Sequence, residues 1–254
     1  MNTDSGLESA SADKIKHYES YAIAQKTINE KLLALLQAHT RNHFEKVLEI
    51  GCGTGLFTAA FLTKFSTEQL VLNDVSENYQ PYLTEKLQRN FTLMKSQFVV
   101  GDALTTELGS DYDLLVAASV VEYLASTQTF IQRAASQLKQ GGYLLFNGVH
   151  PQNLPEIRSL VGEGSCSPSI LDWINQLEQA FEIIAIEQDG LCFLFESPQE
   201  VMTHLAYTGL SPLNTAQWTE DFYQEFIRQY QERFSQEGYV SLTYQPFYLL
   251  ARKR

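Results

Sequence analysis

The chain has 254 residues, 44% of them hydrophobic, with 15 Phe and 13 Tyr, which suits a compact core and argues against disorder. A net charge of −12 opposes general binding to nucleic acid, and Cys52, Cys166 and Cys192 are too scattered for a disulfide framework or a C-x-x-C metal site. No apolar run reaches the roughly 18 residues of a membrane span, and the N-terminus lacks the basic and then apolar order of a signal peptide. The expectation is a cytoplasmic monomer with residues 1–12 as a flexible tail and 13–254 as one domain, binding neither nucleic acid nor membrane.

Residues from about Asp13 to Ala38 carry Ile15, Tyr18, Ala22, Ile28, Leu32 and Leu36 at helical spacing, predicting one or two amphipathic helices. Most of this stripe suits a core, while Tyr18, Tyr21 and Gln25 can also cover a ligand pocket if the leading helix crosses the open end of a sheet. Val47 to Gly55, with the sequence VLEIGCGTG, then reads as strand, glycine turn and helix start. Glycines at such a junction let a ligand approach main-chain N–H groups and the helix N-terminus. The spacing of Gly51, Gly53 and Gly55 does not fit the dinucleotide fingerprint G-x-G-x-x-G. Glu49, just before them, can hold the loop or an amino group of a bound cofactor.

Leu56 to Phe65 continues as helix, and Leu70 to Asp74 reads as the second strand, ending in a carboxylate about 20 residues beyond the glycines. That is where a doubly wound fold accepts hydrogen bonds from ribose hydroxyls. A helical connection over Tyr79 to Met94 leads to a short strand, Gln97 to Val100, ending at Gly101-Asp102-Ala103. Asp102 there can accept from an adenine amino group or cap the next turn. Asp113 to Ala118 is nearly continuous apolar strand, and its end, Ser119 with Val120 to Leu124, faces the same ligand edge. Phe130 to Leu138 reads as helix, Gly141-Gly142 as its cap, and Tyr143 to Asn147 as a fifth strand.

Beyond Asn147 the rhythm changes. Gly148 to Ser169 is rich in Pro and Gly and reads as loop. Phe181 to Ile186 and Leu191 to Phe195 resemble a hairpin around Gly190. Helices follow over Pro198 to Tyr207 and Thr219 to Ser235, the latter with Phe222, Phe226, Tyr230 and Phe234 at i, i+4 spacing. Tyr239 to Arg252 reads as one long strand, whose Pro246 suggests an edge position or a bulge. The β-α alternation gives a doubly wound α/β fold.

The Glu49 to Gly55 pattern, E-x-G-x-G-x-G, resembles motif I of class I S-adenosylmethionine-dependent methyltransferases. Asn73-Asp74, Gly101-Asp102 and Gly141-Gly142 follow in that family's order. The segments from Pro198 to Gly209, Trp218-Thr219 and Leu242 to Tyr248, with His17-Tyr18-Glu19 and Ala24-Gln25 near the start, look like the malonyl-acyl carrier protein O-methyltransferases of biotin synthesis. This resemblance implies a mostly parallel seven-stranded sheet with N-terminal helices and a helical and hairpin elaboration, about residues 148–238, over the acceptor side. It implies S-adenosylmethionine as cofactor, S-adenosylhomocysteine as product and a carrier-linked malonyl substrate. Cofactor-binding residues would be Tyr18, Gln25, Glu49, Gly51, Cys52, Gly53, Gly55, Asp74, Val75, Asp102, Ala103 and Ser119. No general base and no metal is expected, and Tyr18, Arg158, His204 and Tyr244 are the candidates for positioning the acceptor. Ala206 stands where the family commonly has a basic residue, and Val120 to Tyr123 where it commonly has a glutamine-tryptophan pair. The residues also admit transfer to another small carboxylate, a phenol or an amine, or a scaffold that binds the cofactor without transfer. Arg228, Arg233 and the Arg252-Lys253-Arg254 run are the cationic clusters that could meet an acidic carrier.

Overall fold

The computed structural model describes residues 12–90, 95–161, 167–209 and 218–254. The expected tail, apart from Ala12, and Cys166, Gly162 and Gly164 lie outside the described residues. Helices α1 (Ala12–Tyr21) and α2 (Ile23–His39) lead the chain, and the α2 stripe of Ile28, Leu32 and Leu36 enters the core as its spacing predicts.

Five strands follow: β1 (His43–Ile50), β2 (Ser66–Asp74), β3 (Lys95–Val100), β4 (Tyr112–Ala117) and β5 (Leu138–Val149). Helices α3 (Leu56–Lys64) and α4 (Tyr79–Asn90) and, after a 3-10 turn at Val121–Tyr123, α5 (Thr127–Gln137) connect them. Later come α6 (Pro155–Val161), α7 (Ile170–Leu177), β6 (Phe181–Gln188), β7 (Leu191–Phe195), α8 (Pro198–Tyr207) and α9 (Glu220–Phe234). The chain then runs through β8 (Ser235–Gln236), β9 (Tyr239–Tyr244) and β10 (Pro246–Lys253).

The main sheet runs β3-β2-β1-β4-β5-β10-β6. Its first five strands are parallel to their neighbours, whereas β10 is antiparallel to both β5 and β6. The inner strands β1 and β4 are buried over most of their length, because apolar layers cover both faces. One layer joins Leu32, Leu36, Phe57, Phe61 and Leu83 to the sheet, and the other joins Phe130, Ile131, Trp173 and Leu177. A second antiparallel sheet, β7-β9-β8, packs with α6, α8 and α9 around Phe226, Tyr230 and Leu242. No described helix is long and apolar enough to cross a membrane.

Four local expectations are corrected. Gly141-Gly142 does not cap a helix, since α5 ends at Gln137 and the glycines lie inside β5. The β4–β5 register jumps there from Tyr112↔Leu138 to Leu114↔Tyr143. A Cβ on Gly142 would come within 2.8 Å of the Tyr112 carbonyl oxygen, so close backbone approach explains that glycine. The segments around Gly190 are not a hairpin, because β6 pairs with β10 in one sheet and β7 with β9 in the other. Residues 239–252 form two strands, not one, and Pro246 opens β10 rather than marking an edge. A proline is tolerated at a strand's first residue, where no ladder donor is required of it. Finally, the segment read as loop from Gly148 to Ser169 contains α6.

Candidate functional site

The glycine turn is built by left-handed backbone at Gly51, Gly53 and Gly55, with φ of 61°, 49° and 73°, conformations that penalise any Cβ. The three glycines differ in surroundings. A Cβ on Gly51 would lie 2.3 Å from Val120 Cγ2 and one on Gly55 2.2 Å from Leu83 Cδ1, whereas one on Gly53 would meet nothing within 4 Å. Packing therefore closes the turn at Gly51 and Gly55 and leaves it open at Gly53. Cys52 between them is buried, and burial, with the charges of Glu49 and Asp74 beside it, pushes its thiol up.

Asp74 ends β2 facing this opening. Its Oδ2 accepts from the Gly53 N–H at 2.9 Å and its Oδ1 from the Ser76 N–H at 3.0 Å, so each oxygen keeps a lone pair for another donor. Burial raises its pKa against the pull of these N–H groups. Asn73, one residue earlier, ties β2 to β3 through the carbonyls of Val99 and Gly101. Asp102 is exposed and its Oδ1 accepts from Leu104 N at 2.7 Å, so the capping role is present and one oxygen stays available. Ala103 is half-buried beside it, and Val75 is exposed next to Asp74.

Glu49 lies beneath the turn, buried, and accepts a 2.7 Å hydrogen bond from the Thr58 hydroxyl. Burial pushes its pKa up to about 8, with Thr58 and the Lys86 charge pulling it down and Asp74 raising it. Lys86 of α4 bonds both Glu19 of α1, at 2.5 Å, and the Thr54 carbonyl, at 3.3 Å. The leading helix is thereby fastened over the turn. Around the same edge, Gln25 Oε1, Thr54 Oγ1 and Ser76 Oγ are buried without a hydrogen-bond partner, a donor and acceptor set that a polar ligand would complete. Ser119 follows β4 with φ of 56°, and its N–H donates to Asn147 Oδ1 at 2.8 Å.

On the acceptor side, Tyr18 is half-buried in α1. Burial, then Tyr79, Glu19 and Glu122, raise its pKa. His204 and Tyr244 are both buried and bonded to each other, His204 Nε2 to the Tyr244 hydroxyl at 2.6 Å, while His204 Nδ1 meets the Tyr21 carbonyl at 2.8 Å. Tyr21 also stacks on Tyr207 of α8 at 4.4 Å between ring centroids, so α1 and α8 form one cover. His204 is therefore a buried residue of α8 whose two ring nitrogens are both in use. Arg158 donates from its guanidinium to the Pro151 carbonyl at 2.5 Å, which uses one of its five donors. Ala206 is exposed, on the far side of α8 from His204. Of the cationic clusters, Arg228 is bound by Glu225 and Glu232 on its own helix.

A methyltransferase-domain family profile matches residues 48–146, from within β1 to within β5. The chain is 39% identical over 240 residues to a malonyl-acyl-carrier-protein O-methyltransferase from Haemophilus ducreyi, covering 94% of this chain and 93% of that one. It is 35% identical to the protein of the same name from Porphyromonas gingivalis, covering 94% and 91%. The chain belongs to the malonyl-acyl-carrier-protein O-methyltransferase family. The fold agrees with the N-methyltransferase NodS from Bradyrhizobium japonicum, solved with S-adenosyl-L-homocysteine, at a TM-score of 0.57 and 15% identity, covering 94% of this chain and 98% of that one.

Within this methyltransferase family frame, the structure gathers Glu49, Gly51, Cys52, Gly53, Gly55, Asp74, Asp102 and Ser119 along one edge of the sheet. It also adds residues that the sequence reading passed over. Thr58 and Asn147 hold Glu49 and Ser119 from neighbouring elements, contacts that no local pattern announces. Tyr79 faces Asp74 and is pushed up to about 12, chiefly by burial. Glu122, a single carboxylate in the apolar run Val120 to Leu124, gave a signal in its isolation among apolar neighbours.

Proposed function

We propose that this protein transfers the methyl group of S-adenosylmethionine to the free carboxylate of a malonyl thioester carried on acyl carrier protein, in the synthesis of a biotin precursor. The observation that carries this reading is likeness over nearly the full length of relatives bearing that name. The cofactor fits the residues present: the turn is open at Gly53, Asp74 keeps free lone pairs, and Gln25, Thr54 and Ser76 present unpartnered polar atoms. Asp74 would hold the ribose, Asp102 and Ala103 the adenine edge, and Glu49 with the turn glycines the amino acid portion. Tyr18 and Gln25 would close the site from above, with Ser119 and Val75 at its walls.

When bound, S-adenosylmethionine supplies an electrophilic methyl on a sulfonium centre. A malonyl carboxylate is ionised near neutral pH and needs no proton removed before it attacks. The task left to the protein is alignment and exclusion of water, which suits a site walled by tyrosines and covered by α1 and α8. The working unit is read as a cytoplasmic monomer, a point for sedimentation analysis. Incubating the protein with methyl-labelled S-adenosylmethionine and malonyl-carrier protein, with malonyl-coenzyme A alongside, should give labelled methyl ester. Tight cofactor binding without ester from either substrate would overturn the reading.

A further inference from the structure

Glu122 occupies the 3-10 turn after β4, two residues beyond the Val120 side chain that packs on Gly51. Its Oε2 is buried and meets no hydrogen-bond partner. Glu122 lines a cavity of about 710 Å³ whose other lining residues include the apolar Val121, Leu124 and Trp173 and the polar Gln128 and Gln176. None of the described lining residues is positively charged. The titratable groups that face Glu122 are Tyr18 from α1 and its neighbour Tyr123, with Tyr244 of β9 beyond Tyr123. Of the basic side chains described near this end of the sheet, Lys86 is paired with Glu19 and Arg158 donates to the Pro151 carbonyl.

An anionic acceptor brought beside an ionised, unpaired Glu122 would place two like charges in a desolvated site. A neutral carboxylic acid in the same place is instead a hydrogen-bond donor to that anion. We propose that Glu122 binds the acceptor carboxylate as a neutral acid, donating its proton in a hydrogen bond and taking the positioning role that a cation would otherwise fill. The inference rests on the carboxylate-acceptor reading above. The proton stays on Glu122 throughout, while the other acceptor oxygen forms the new C–O bond as the methyl–sulfur bond breaks. Burial, which pushes Glu122 up to about 7, keeps much of it in the donating form near neutral pH.

The test compares wild type with Glu122→Gln, which is neutral at every pH and keeps an N–H donor. Acceptor KM for malonyl-carrier protein is measured from pH 6 to 9, with cofactor affinity followed by calorimetry. Wild-type acceptor KM should rise above pH 7, approaching tenfold per pH unit, while KM of the Gln variant stays flat and both bind cofactor alike. The climb is read above pH 7, on the far side of the ordinary 6.5 from His204, which burial lowers, and below the tyrosines, which burial raises from 10, while Glu49 would register in cofactor affinity instead. A flat wild-type profile, or the same climb in the variant, overturns the proposal. So does a variant that loses affinity for S-adenosylmethionine but not S-adenosylhomocysteine, because Glu122 would then serve the sulfonium as an anion. Cofactor binding with no methyl ester from wild type would remove the carboxylate acceptor and overturn both readings, an outcome distinguished by the lack of any KM to measure.

Discussion

The Tyr244 hydroxyl donates to Nε2 of His204 across 2.6 Å, and the direction of that bond is fixed by the other side of the ring. Nδ1 faces the Tyr21 carbonyl, which can only accept, so Nδ1 carries the proton and Nε2 of the neutral ring is the acceptor. Tyr244 therefore has its proton committed to His204 and does not offer it to a substrate. Removing the hydroxyl with Tyr244→Phe leaves Nε2 unpaired and buried, and should lower stability by roughly 1–3 kcal/mol. Urea denaturation measures this, and an unchanged midpoint would mean the bond contributes nothing.

The same burial sets a pH dependence. His204 has its pKa lowered from the ordinary 6.5, so the folded state favours the neutral ring. Its contribution to stability is complete above the unfolded value and is lost as pH falls below about 6.5 toward the folded value. Thermal unfolding followed from pH 8 to 5 should show this acid loss in wild type and a shallower one in His204→Gln. Parallel profiles would contradict it.

At the cofactor edge, Asp74→Ala removes a carboxylate that two backbone N–H groups orient. Cofactor affinity should fall by roughly 1–3 kcal/mol through lost charge-assisted hydrogen bonds. Calorimetry with S-adenosylhomocysteine reads the change, and unaltered affinity would exclude Asp74 as a ligand.

Two glycines of the turn should fail in different ways. Gly51→Ala meets Val120, so its loss of stability should be partly relieved in the double variant with Val120→Ala. Gly53→Ala meets open space and should cost only the roughly 1–2 kcal/mol of a left-handed alanine while obstructing cofactor. Equal losses of stability and of cofactor affinity in both variants would contradict this division.

Glu49, raised to about 8, is largely protonated at neutral pH, and ionising it opposes folding. Stability from this group is present below about 4.5 and is lost as pH rises through about 8. A cofactor ammonium beside it should lower that pKa and release part of a proton at pH 7.5. Binding enthalpy should then vary with the ionisation enthalpy of the buffer in wild type but not in Glu49→Gln, and buffer-independent wild-type enthalpies would refute the linkage.

The alternation of apolar strands with helices up to Asn147 made the parallel half of the sheet legible, because each element is specified by its own residues. The turn glycines and Asp74 were legible for the same reason, since strand ends and left-handed turns leave local marks. What escaped were pairings set at long range. Nothing local in Leu191 to Phe195 says that its partner is β9 rather than β6, and nothing in Pro246 to Lys253 shows that this strand enters between β5 and β6. The pairing of His204 escaped for the same reason, since its partners in α1 and β9 lie 183 and 40 residues away in sequence.

The antiparallel entry of β10 has a kinetic side. In the main sheet β6 pairs only with β10, and β5 has β4 on one side and β10 on the other. Until residues 246–253 arrive, the Leu144-Leu145-Phe146 stretch of β5 is an open apolar edge, the kind of surface on which partly folded chains aggregate. The elements between β5 and β10, nearly one hundred residues that include α8 and the second sheet, must be spanned before that edge closes. Closing that edge therefore carries the entropy cost of loop closure over that distance, a cost that a sheet of sequence-adjacent strands would not meet.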